Sequence, residues 1–105
     1  MSELVLEFPV DHPCGAGHFP GNPIIPGALL LAEVLDAIAK HLVLDGRWQV
    51  KSAKFPLPVR PGDKVHIAYS QNDAGEIRFE ASVSSHRVLS GVAHSLPTST
   101  AGAPA

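Results

Sequence analysis

The chain of 105 residues holds one cysteine, one tryptophan, one tyrosine and one methionine, and no long apolar run. A single Cys14 cannot close an internal disulfide, and it points to a reducing compartment. The longest apolar run, Ala28 to Ala32, is far short of the roughly 20 residues that a membrane-spanning helix takes. Positive charge is also scarce: eight Lys and Arg stand against ten Asp and Glu, with no basic patch suited to nucleic acid. Met1 to Glu7 has two acids and lacks the basic start and apolar core of a signal peptide. His12, His41, His66, His86 and His94 show no metal-ligand spacing, so a zinc site is not expected. There are no internal repeats. These absences leave a soluble cytoplasmic protein as the expectation, with no nucleic-acid, membrane or metal partner.

What the chain does have is a rigid stretch from His18 to Gly27, which carries three of its ten prolines and two of its nine glycines. Each X-Pro step pushes the preceding residue out of the helical region, so the chain should run extended up to Pro26. Proline suits the first turn of a helix, where its missing N–H has no partner to lose. The following stretch, Ala28 to Val43, is rich in Ala and Leu, and its only polar residues are Glu33, Asp36, Lys40 and His41. The charges at 33, 36 and 40 share one narrow stripe, so the rest of the circumference should be wrapped by other structure. Lys40 and His41 suit the negative end of the helix dipole, and Asp45-Gly46 should end the helix. Gly27, lacking a Cβ, should let a ligand approach the free N–H groups at the helix start.

The remainder reads as strands. Leu4 to Val10 is a first strand stopped at Pro9, followed by a loop through Asp11-His12-Pro13-Cys14-Gly15-Ala16-Gly17. Beyond the helix, Arg47 to Phe55 alternates with Trp48, Val50 and Ser52 on one face. Pro56 to Asp63 turns the chain, and Lys64 to Ser70 then alternates with Val65, Ile67 and Tyr69 on one face. Asn72 to Gly75 is a hairpin turn, Glu76 to Ser84 alternates again, and Val88 to Ser95 is a last strand. The expected fold class is α+β, with a curved antiparallel sheet around one long helix. Residues 1–95 form the domain, and 96–105, small and proline-containing, form a disordered tail. A core of this size gains from association, so a homodimer or higher even oligomer is expected.

The motif His18-Phe19-Pro20-Gly21-x-Pro23-x-x-Pro26-Gly27 resembles the signature of the β-hydroxyacyl-acyl-carrier-protein dehydratases, which have the hotdog fold. Phe55-x-x-Pro58-Val59-x-Pro61-Gly62-Asp63-x-Val65 is similar to that family's later strand-turn segment, and Asp11-His12-Pro13 resembles its short dehydratase-like members. The resemblance covers roughly residues 4 to 95. It implies a dimer whose active sites lie at the interface, where a histidine of one chain meets a helix carboxylate of the other. The substrate would be an acyl thioester carried on phosphopantetheine by an acyl carrier protein, and no metal or redox cofactor would be needed. The reaction would be reversible loss of water from a 3-hydroxyacyl thioester.

On that resemblance His18 is the general base, since histidine titrates near neutral pH and can take the C2 proton. Gly27 at the helix start would hold the thioester oxygen as it gathers charge, a contact typically worth about 3–4 kcal/mol. Phe19, Gly27, Ala28, Leu29 and Ala32 are the expected substrate-binding residues, with the acyl chain in a tunnel beside Leu29, Leu30 and Ala32. The chain departs from the family at one point: the position of the helix carboxylate is Ala32. Asp36, one turn on and rotated by only about 40°, takes the acid role before Glu33, which is turned by about 100°. Asp36 also precedes Lys40 by one turn, so an ordinary surface ion pair explains it equally well. Ala32 keeps two alternatives open: a non-catalytic or accessory acyl-binding subunit, and an acyl thioesterase.

Overall fold

The structure, a computed structural model, describes residues 2–8, 24–44 and 47–96. The described residues form one helix, α1 (Gly27–Leu42), and five strands: β1 (Ser2–Glu7), β2 (Trp48–Lys54), β3 (Lys64–Gln71), β4 (Glu76–Val83) and β5 (His86–Ser95). All strand pairs are antiparallel, and the order across the sheet is β1-β3-β4-β5-β2. This is the α+β hotdog arrangement that the motifs imply.

The strict alternation of β3 and β4 sets the inner face of the sheet. Val65, Ile67 and Tyr69 are buried, as are Ile77, Phe79 and Ala81 on the same face of the neighbouring strand. Against this face the helix lays Leu30, Val34, Leu35, Ile38 and Ala39. Each buried Leu, Val or Ile of that set contributes about 1.5–3 kcal/mol. Tyr69 keeps its hydroxyl satisfied beneath the last helical turn, hydrogen-bonded to His41 Nδ1. The helix leaves one stripe open: Ala28, Ala32, Asp36, Lys40 and His41 are exposed, so the stripe holds the charges at 36 and 40 and adds two alanines expected on the covered side, because one sheet covers one helix face.

Several boundaries differ from the sequence reading. β1 starts at Ser2 and ends at Glu7, opposite Lys64, where its partner strand begins; beyond it Phe8 bonds the turn through Asp63 and Gly62. Pro26 is the N-cap, one place before the first helical residue. The helix stops at Val43 rather than at Asp45-Gly46, which lie outside the described residues. Val43 sits in the left-handed region (φ 59°, ψ 54°), and the N–H groups of Val43 and Leu44 bond back to Lys40 and Ala39. β5 begins at His86, across a turn in which Ser84 and Ser85 both have positive φ. Residues 97–105 of the expected tail lie outside the described residues, whereas Leu96 still donates to the Arg47 carbonyl.

β2 holds the largest departure. The register runs Val50↔Ala93 and then Ser52↔Val92, so Lys51 is a bulge. A bulge adds one residue and reverses which alternate positions face inward. Ser52 therefore leaves the face of Trp48 and Val50, and Ala53 takes the inward place opposite Gly91. Lys51 stays on the outer face, where its Nζ meets Glu76 Oε2 at 2.7 Å. The Lys51 hydrogen bond and charge lower the Glu76 pKa from its ordinary value. A depressed carboxylate contributes stability above its unfolded-state pKa and loses it as the pH falls through the folded value. Denaturant melts at decreasing acid pH should show this loss, and Lys51→Met should remove most of it, leaving the smaller share from Arg78 and His94; the effect is small because the pair is at the surface.

Val43 gives a clearer test. It is a β-branched residue at positive φ and is 89% exposed. Strain of this kind costs on the order of 1–3 kcal/mol, and glycine takes the position without it. Val43→Gly is expected to stabilise the protein by about 1 kcal/mol in urea unfolding, despite glycine's greater freedom in the unfolded chain.

Candidate functional site

The open helix stripe is one wall of a groove of about 560 Å³. Ala28, Leu31, Ala32, Glu33, Leu35 and Asp36 line it from the helix, and Trp48 closes it from the start of β2. The helix supplies this wall because Ala28, Ala32 and Asp36 recur one turn apart, with two methyl groups where longer side chains would fill the space. Among the described residues, the one buried side-chain polar atom without a partner is Nε1 of this same Trp48.

The helix start lies at one end of the groove. Pro26 offers no side-chain cap, and the first helical turn carries no acid. Gly27 is not bare on its Cβ side, however. A Cβ there would meet the Phe55 ring at 3.2–3.3 Å, so the ring already occupies the space that the missing side chain leaves. Ile25 ties this entry to the sheet through its N–H, 2.7 Å from the Val59 carbonyl.

The structure thus brings together Ala28, Ala32, Glu33 and Asp36, with Gly27 adjoining. Leu30 is buried in the core and Leu29 packs against it; the groove runs past Leu31 and Leu35 instead. Asp36 is spoken for in part, its Oδ2 lying 3.1 Å from Lys40 Nζ across one exposed helical turn. His18 and Phe19 lie outside the described residues, as do His12 and Cys14. Trp48, Leu31 and Leu35 escaped the sequence reading. The helix residues could have been found from the i, i+3, i+4 repeat around Ala28 and Ala32; nothing local marked Trp48, which reaches the groove through the sheet.

Fold and groove together define a hotdog-fold protein. The family model described as ApeI dehydratase, ApeI-like, matches residues 1–92, and the chain belongs to this family. It is 35% identical over 79 residues to the 3-hydroxyacyl-[acyl-carrier-protein] dehydratase FabZ of Lactobacillus helveticus, a match covering 64% of this chain and 53% of the relative. The chain spans about half the length of the curated relatives it matches. Among solved structures, an uncharacterized protein from Erwinia carotovora subsp. atroseptica superposes with a TM-score of 0.75 at 25% identity, covering 92% of this chain and 83% of the other. The dehydratase heterocomplex ApeI:P from Xenorhabdus doucetiae gives 0.69 at 19% identity, covering 88% and 83%, and at that identity shares the fold.

Proposed function

We propose that this chain removes water from a 3-hydroxyacyl thioester, carried on phosphopantetheine by an acyl carrier protein, to give the trans-2-enoyl thioester in fatty acid or polyketide-like synthesis. The family match over residues 1–92 carries this reading. His18 takes the C2 proton as general base. The C2 electron pair forms the double bond to C3, and the C3–O bond breaks. The hydroxyl leaves as water, with a proton delivered through Asp36, before Glu33, by way of a water molecule in the space beside the Ala32 methyl. The N–H of Gly27 holds the thioester oxygen as charge gathers there. The step balances without a metal or redox cofactor.

A dimer in the cytoplasm is part of the same proposal. Two features support the dimer: β2 is a sheet edge with Trp48 and Val50 on it, and the helix stripe beside it, with Ala28 and Ala32, is exposed among the described residues. Sedimentation of a stable monomer at micromolar concentration would count against it. Incubation with 3-hydroxyacyl and acyl thioesters, with products read by mass spectrometry, tests the chemistry. Loss of water is expected, and hydrolysis would make the protein a thioesterase.

One observation favours a second reading. The groove presents a methyl group at 32 where the dehydratases carry a carboxylate, and a relative of this fold is described as a heterocomplex. An accessory subunit that binds acyl chains and pairs with a carboxylate-bearing partner fits both. Binding of an acyl thioester with no turnover, and turnover restored by such a partner, would select it.

A further inference from the structure

Trp48 is held firmly at the groove. It pairs with Ser95 across β2 and β5, the Leu96 N–H bonds the Arg47 carbonyl just before it, and its ring packs against the core. Yet among the described residues its Nε1 is buried with no partner. A buried tryptophan N–H usually finds an acceptor, so an idle one calls for a reason. The other described side chains that line the groove sharpen the point. Ala28, Leu31, Ala32 and Leu35 offer no polar atom, and Glu33 and Asp36 end in carboxyl groups. As carboxylates these accept, and each donates only when it carries a proton. The indole N–H is therefore the one standing side-chain donor among the described lining residues, and it is unused.

Resting on the dehydratase reading, we propose that the Trp48 N–H donates a hydrogen bond to the C3 oxygen of the 3-hydroxyacyl thioester, and so recognises the hydroxyl group that is to leave. That oxygen needs a donor twice. It must be held in the groove in the bound substrate, and negative charge gathers on it as the C3–O bond breaks. A carboxylic acid at position 32 would supply the donor; Ala32 has none. Carboxylates at Glu33 and Asp36 meet the hydrogen of the hydroxyl but not the lone pairs of its oxygen. The indole N–H donates at any pH and keeps its proton. It positions the oxygen while the proton still arrives by way of Asp36 and water. Its dryness matters as well. A donor already bonded to water gains little from a ligand oxygen, whereas one shut away from water gains nearly the whole bond.

The test uses two pantetheine amides with the same acyl chain, one bearing a 3-hydroxyl group and one without it. Nitrogen in place of sulfur keeps C2 from being deprotonated, so both are read at equilibrium. The chain has a single tryptophan, so an isotope-labelled sample gives one indole N–H resonance. That resonance should move downfield with the 3-hydroxy amide and not with the other. By calorimetry the parent should prefer the 3-hydroxy amide by about fivefold, the size of one net hydrogen bond. Trp48→Phe keeps an aromatic ring without the donor and should lose that preference. A purely structural tryptophan would, on substitution, weaken both ligands alike; a ratio unchanged in the folded variant overturns the role. If Trp48→Phe folds poorly in thermal melts, the parent decides alone. Equal affinity or the same indole shift for the two amides then overturns the role, and water loss from the matching thioester leaves the dehydratase reading standing. Binding of neither amide overturns this inference and, with no water lost from the thioester, the dehydratase reading as well.

Discussion

Ala32→Glu is expected to raise the rate of water loss from a 3-hydroxyacyl thioester by about a hundredfold, and His18→Ala to abolish it. A positioned general acid or base contributes typically 10²–10⁴-fold. Position 32 is exposed and lines the groove, so a longer side chain there has room and enters the space where the leaving hydroxyl is proposed to lie. The native acids are placed less well. Asp36 is a turn further along, and one carboxylate oxygen is engaged by Lys40 at 3.1 Å. Misplacing a catalytic group by an ångström can lose ~100-fold, so the parent should be a slow dehydratase. Asp36→Asn should slow it further, and by more than Glu33→Gln. Single-turnover measurements on one thioester settle the order. If all four variants match the parent, this groove is not where the chemistry happens, and the accessory-subunit reading takes its place.

Gly91→Ala should cost about 3 kcal/mol, the upper end of what a forced core insertion usually costs. A Cβ at 91 would lie 2.3 Å from the Ser52 carbonyl oxygen and 2.8 Å from the Phe79 ring. Neither neighbour can give way cheaply. Ser52 is backbone next to the Lys51 bulge, and Phe79 is among the most buried side chains of the core. Relief would mean parting β2 from β5, the strand pair that carries Trp48 to the groove. For a domain of this size such a loss lowers the melting temperature by roughly 15 °C. A melt unchanged within a few degrees would show that the bulge relaxes freely. Ser90→Ala on the same strand serves as the control, since its half-buried position on the outer face makes no comparable approach.

Much of the protein was legible in its residue order. Clean alternation at Val65, Ile67 and Tyr69, and again at Ile77, Phe79 and Ala81, is a local signal of a half-buried sheet, and the buried faces follow it. The Ala- and Leu-rich run after Pro26 specified the helix for the same reason, because its period and propensity are set within a few turns. The motif from His18 to Gly27 carried the family. Other features depend on contacts between distant segments, which local pattern does not encode. The Lys51 bulge exists because Gly91, some forty positions away, lets the Ser52 backbone come close, and it turns Ser52 from the inner face to the outer. The charges at 36 and 40 marked part of the open helix stripe, but Ala28 and Ala32 belong to it as well because one sheet can cover only one face. Gly27 looked like an opening for a ligand; the fold put the Phe55 ring there, carried in by a later turn. Sequence by itself determined the elements, the family and the missing carboxylate at Ala32. Tertiary structure decided which side of the helix is a groove, what lines it and which residues flank its entrance, because those follow from how separate segments pack and not from the order within any one of them.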